Sequence, residues 1–172
     1  MELGLTFPLQ RFLKRAVPDH GREEDRRFCW DLHVIDLRGC RSLLAVHCHS
    51  RYTFVRCGVT QLQWANLPDL FQEGLLESLT AVGFSQGQVE GYLRWAGALE
   101  VTRTHGRREV AFLNRAWEDV LSLDLCLDMG QQAQPLLDYT VNTRPSRCAG
   151  SAGLGTGLER IAAVLNERKE SG

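Results

Sequence analysis

Between Asn66 and Val82 the apolar residues Leu67, Leu70, Phe71, Leu75, Leu76, Leu79 and Val82 recur at helical spacing and form one stripe. Asn66 stands where a cap belongs, Pro68 and Asp69 suit a first turn, and Gly83 suits a C-terminal stop. A second helix follows, opened by Ser85 with Gln88 as a capping box, buried through Val89, Tyr92, Leu93 and Ala96, and ended by Gly97. Upstream the period changes. Trp30–Leu37, Ser42–Cys48 and Tyr52–Cys57 are rich in strand formers and joined by short turns, which predicts an antiparallel meander. A short helix is expected over Pro8–Ala16, ended by Pro18-Asp19-His20-Gly21. The charge run Arg22–Arg27 reads as a solvated loop.

Past Gly97, Leu99–Thr104 alternates as a strand, and His105-Gly106-Arg107 reads as a turn. Arg108–Ala111 is expected to return briefly as a strand before a helix over Phe112–Leu123, with Leu113, Trp117, Val120 and Leu121 inward. A weaker helix spans Gln131–Val141. The stretch Cys148–Gly157 has linker composition, and Leu158–Arg168 forms a terminal amphipathic helix. The expected fold class is α+β: a small antiparallel sheet packed by several helices, with a C-terminal helix after a Gly-rich linker. Residues 1–147 make the domain, 148–157 the linker and 158–172 the helix. A helix that short is marginal alone in water. Leu158, Ile161 and Leu165 should therefore dock on the chain itself, on a second copy or on a protein partner.

Composition changes this picture little. At 172 residues, with 44% apolar and 24% charged positions, one core can hold the chain. A formal net charge of −1 supplies no bulk attraction to nucleic acid or anionic membrane. No apolar run approaches the ~20 residues needed to span a bilayer, so no membrane partner is expected. The cysteines at 29, 40, 48, 57, 126 and 148 lack any Cys-x-x-Cys pair and read as reduced thiols of a cytoplasmic protein.

Three constellations could carry chemistry. His47, Cys48, His49 and Cys57 invite a metal, but on a strand His47 and His49 face away from Cys48, so no metal is expected there and no cofactor elsewhere. The run Gly150–Gly157 lacks the Gly-Lys-Ser/Thr of a phosphate loop. Arg103, Arg107 and Arg108, with Arg115 nearby, form the strongest remaining signal, an arginine corner beside a helix start that could hold phosphate, carboxylate or a nucleic-acid backbone. The leading reading is a non-enzymatic binding or regulatory module. The alternative is a small hydrolase or phosphate-handling enzyme using the same arginines with His105 or a cysteine.

Thr6 with Leu9, the run Ser50-Arg51-Tyr52-Thr53, the helix from Asn66 to Leu79 and the box from Arg107 to Asn114 together resemble an uncharacterised bacterial and phage domain-of-unknown-function family. Its members begin with a Thr-Lys-Lys-Leu-like helix and carry a box like Arg-Ser-Val-x-Gly-Ser-Met-Asn-Asp. The resemblance spans roughly residues 5 to 145. Here Arg108 replaces the Ser, Ala111 the Gly and Arg115 the Asp, while Arg107 and Asn114 are kept. The resemblance implies a compact α+β fold, a bacterial cytosolic setting and a structural role for Arg107 and Asn114, with Asn114 capping or bracing the helix. It implies no reaction.

Overall fold

In the computed structural model, residues 1–148 and 152–167 are described. The chain is α+β, built on a mixed five-stranded sheet. Strands β1 (Glu2–Leu5), β2 (Cys29–Leu37), β3 (Cys40–His47), β4 (Thr53–Arg56) and β5 (Glu100–Arg103) lie in the order β4-β3-β2-β1-β5. The expected meander is β2-β3-β4, antiparallel throughout. The sheet as a whole is not antiparallel, because β1 runs parallel to both β2 and β5. This interior strand escapes the periodicity argument. It has four residues, all buried, and Leu5, Leu9, Phe12 and Leu13 recur across its end as if one helical stripe ran through them. The helix that follows is shorter than expected: α1 covers Phe7–Phe12, with the Thr6 hydroxyl accepting from the Leu9 amide.

The remaining helices are α2 (Gln61–Ala65), α3 (Leu67–Ala81), α4 (Gln86–Ala96), α5 (Arg107–Ser122), α6 (Pro135–Asn142) and α7 (Gly157–Asn166). The capping box at Ser85 and Gln88 forms as read, whereas Asn66 makes no capping bond and its amide turns to Asp69. The sheet sends alternate side chains to two faces. Leu3, Leu5, Trp30, Leu32, Leu43 and Phe54 face α1, α3, α4 and α7. Ile35, Leu37, Leu44, Val46 and Val55 face α5 and α6 through Leu113, Ala116, Val120, Leu137 and Val141. Leu121 points outward at 52% exposure, against expectation.

Two further expectations are corrected. Residues 108–111 do not return as a strand. Gly106, at φ +137, swings the chain straight into α5, whose apolar positions fall at helical spacing from Leu113. The outer edge of β5 is met instead by the loop after α1, where the Arg103 amide donates to the Asp19 carbonyl at 3.0 Å. The described parts of the linker and the terminal helix also pack with the rest of the chain. Residues 149–151 of the linker lie outside the described residues, but β6 (Ser146–Arg147) pairs with β7 (Leu154–Gly155), and Thr156 with Glu159 closes a capping box on α7. The face offered to a partner is spent on the chain's own core: Ile161 and Leu165 are buried there and Leu158 packs against it.

Candidate functional site

The α5 face of the sheet is apolar over most of its area and polar at one end. Alternation places Glu2 and Gly4 of β1, Cys29 and Asp31 of β2, and Cys48 just past β3 on that end. Glu2 pairs in register with Cys29, and Gly4 with Asp31. His105, between β5 and α5, reaches across Gly4. Its Nδ1 lies 2.7 Å from Asp31 Oδ1 and 3.6 Å from Cys48 Sγ, and its Nε2 lies 3.2 Å from Glu2 Oε2. Gly4 is required for this approach: a Cβ there would stand 2.2 Å from Asp31 Oδ1 and 2.9 Å from His105 Nδ1.

The cluster is closed to water. Asp31 is 1% exposed, Cys29 0% and Cys48 4%, and the His105 side chain is 3% exposed. The Arg22 and Glu23 amides donate to Glu2 Oε1 at 2.6 and 2.9 Å, so the charged loop after α1 folds over the site as its lid. Arg26 fastens the lid by donating to the carbonyls of Glu23 and His105 and pairing with Glu109. Over the lid lies a cleft of about 600 Å³, lined by His20, Arg22, Glu23, Arg26, Thr104 and His105.

Burial pushes the Cys48 thiol up to about 12. Burial alone would lower the His105 pKa, but the hydrogen bond to Asp31 and the contacts with both thiols overcome it and lift it to about 12. Burial would likewise raise the Glu2 carboxyl, yet the two lid amides and His105 hold it below the ordinary carboxylate range. Asp31 is shifted up by burial, only partly countered by His105. The 2.7 Å contact between His105 Nδ1 and Asp31 Oδ1 is a hydrogen bond that holds one proton between the two groups. Asp31 Oδ2 has no hydrogen-bond partner among the described residues.

Three of the four arginines of the expected corner hold partners of their own. Arg103 turns to the Pro18 carbonyl and to His20, Arg108 pairs with Glu109, and Arg115 pairs with Glu118. Glu109, buried in the first turn of α5, already fills the place an external anion would take. Arg107 opens α5 as an exposed residue. Asn114 is exposed in the interior of α5 and caps nothing, since Gly106 holds the cap position. His47, from the rejected metal set, is a neutral core residue that burial pushes down to about 3, bonded to Ser50 and to the Arg27 carbonyl. Of the residues now in the site, sequence reasoning singled out His105, as a partner for the arginines, and Cys48, within the metal set it set aside. The available signal for the rest was Asp31 and His33 recurring at every second position of a strand otherwise fit for burial.

Fold and site define a small α+β protein that carries a buried carboxylate–imidazole–thiol cluster under a charged lid. Residues 2–155 match the model of a domain of unknown function (DUF6933), and the chain belongs to that family. Compared with curated proteins, it matches none. Among the described residues, no helix is long and apolar enough to cross a membrane.

Proposed function

We propose that the protein is a non-enzymatic binding or regulatory module whose ligand is received at the cluster around His105. The observation that carries this reading is the placement of the thiols. A cysteine–histidine nucleophile needs sulfur on one ring nitrogen, an orienting acid on the other, and access for substrate. Here Cys48 and Asp31 meet the same nitrogen, Nδ1, Glu2 meets the other, Nε2, Cys29 Sγ turns to the carbonyls of Glu23 and Asp25, and neither thiol lines the cleft. The raised Cys48 thiol and the charged imidazole fit the same conclusion, since a nucleophile needs the thiolate and a base needs a free lone pair.

Alkylation of the native full-length chain, with each modified cysteine read by mass spectrometry, tests this. Cys40 and Cys126, which are partly exposed, should react first, and Cys29 and Cys48 last. Preferential modification of Cys48 or Cys29 would mark a reactive nucleophile and overturn the reading in favour of the hydrolase alternative.

A further inference from the structure

The geometry points to a divalent metal site of the zinc type, formed by Asp31, Cys48 and His105, with Glu2 orienting the imidazole from its far side. This inference rests on the binding-module reading and names the ligand.

The ligand atoms of Asp31, Cys48 and His105 all lie within 4.8 Å of one another. Bonds of about 2.0–2.3 Å to nitrogen, oxygen and sulfur at tetrahedral angles put ligand atoms roughly 3.3–3.8 Å apart, so a small adjustment closes the site. Asp31 Oδ2 is the second observation. It is a buried carboxylate oxygen without a donor, in a residue 1% exposed, and a cation beside His105 would supply the missing partner. The third is the far side of the ring. A metal-bound histidine characteristically gives its other N–H to a carboxylate, and Nε2 meets Glu2, itself held by two backbone amides.

A second triple, Glu2, Cys29 and His105, also has ligand atoms within 4.8 Å of one another, with Glu2 on Nε2. Its valences are already used. Glu2 Oε1 takes the lid amides, Glu2 Oε2 takes His105, and Cys29 Sγ meets the carbonyls of Glu23 and Asp25. The bare oxygen therefore assigns the ion to the Asp31 edge. The mixed sulfur, nitrogen and oxygen set selects zinc or cobalt over calcium or magnesium, which take oxygen ligands.

Charge balances. Without metal, Glu2 is negative and the Asp31–His105 pair with its shared proton is neutral, so the cluster carries −1. Metal binding releases the shared proton and the Cys48 S–H proton to solvent. Two carboxylates, one thiolate and a dication again sum to −1, so the site exchanges two protons for one ion without a new buried charge.

The full-length chain, stripped with a chelator, is titrated with Co²⁺ as a spectroscopic probe and then challenged with Zn²⁺. The expected result is a thiolate-to-cobalt charge-transfer band that saturates at one equivalent, disappears on Zn²⁺ addition and accompanies release of two protons per ion. Cys48→Ser should abolish the band while keeping the parent's melting temperature in chelator. Glu2→Gln should keep the band and weaken binding roughly 10–100-fold. If Cys48→Ser proves unstable, Asp31→Asn provides the same loss of affinity. No band and no Zn²⁺-dependent rise in melting temperature in the parent overturns the site, as does an undiminished band in Cys48→Ser. If Cys48 resists alkylation and no metal binds, the metal assignment falls while the module reading stands. Rapid alkylation of Cys48 in the metal-free protein overturns the module reading whatever cobalt does.

Discussion

At the scale of single residues, Gly4 decides whether the cluster exists. Two charged side chains meet above it, and any Cβ would overlap the Asp31 carboxylate. The neighbour that would have to yield belongs to β2, at the centre of the sheet, and has no room behind it. Gly4→Ala should therefore cost about 1–3 kcal/mol by overpacking. Gly87, in the first turn of α4 with open space around its Cα, should respond oppositely, gaining roughly 0.5–1 kcal/mol as alanine through helix propensity. Urea denaturation of both variants checks the pair. Equal effects would mean that Gly4 is an ordinary strand glycine. None of this was legible beforehand, because the site joins Glu2, Asp31, Cys48 and His105 from four separate segments. Local periodicity reports which way a side chain points, not which side chains meet. The arginines show the complementary effect: Arg108 and Arg115 look free in the sequence until their acidic partners, Glu109 and Glu118, are placed beside them.

At the scale of elements, α6 acts as a substitute strand along the β4 edge. The Thr53 and Val55 amides, which would otherwise face outward unpaired, donate to Asn142 Oδ1 at 2.8 Å and Asp138 Oδ1 at 3.0 Å, and Asn142 returns a bond to the Thr53 carbonyl. Ser78 then donates to Asp138 Oδ2 at 2.7 Å and contacts Tyr52 Oη at 2.9 Å, which ties α3 to the same seam. Burial raises the Asp138 carboxyl to about 8, with Ser78, the Val55 amide and Arg56 opposing it only in part. The unfolded chain releases that proton near pH 4. Between about pH 4 and about pH 8 the folded state thus holds a proton that the unfolded state lacks, and this group's contribution to stability, complete below pH 4, is lost as pH rises through 8. In Asp138→Asn the amide can keep both bonds, donating to Ser78 and accepting from Val55, without a titration. Urea midpoints should show the variant gaining on the parent steadily between pH 5 and pH 8. A difference independent of pH would mean that Asp138 stays ionised in the fold.

At the scale of the whole molecule, the legible parts are those written in contiguous residues: the α3 stripe, the Ser85 box and the β2-β3-β4 meander all appear where periodicity puts them. What periodicity could not state is which surface each apolar face covers, and α7 shows the consequence. Read alone, its stripe is an unpartnered face behind a flexible tether. In the fold, Ile161, Val164 and Leu165 are 0%, 1% and 6% exposed, within the same core as Trp30, Phe54 and Phe71. Arg160 locks the helix base by donating to the carbonyls of Ser146 and Gly155, and Gly157 lies so close to Tyr52 that a Cβ would come within 3.3 Å of its backbone. Burying three such side chains contributes about 1.5–3 kcal/mol each, a sum comparable to the roughly 5–15 kcal/mol of net stability a domain possesses. Deleting residues 157–172 should therefore abolish cooperative thermal unfolding and near-ultraviolet circular dichroism, not simply detach an appendage. Ile161→Ala in the full chain should cost about 2–5 kcal/mol. A truncated chain that still melted cooperatively near the parent's temperature would show that α7 is an independent appendage after all, and would return Leu158, Ile161 and Leu165 to the role of a partner-binding face.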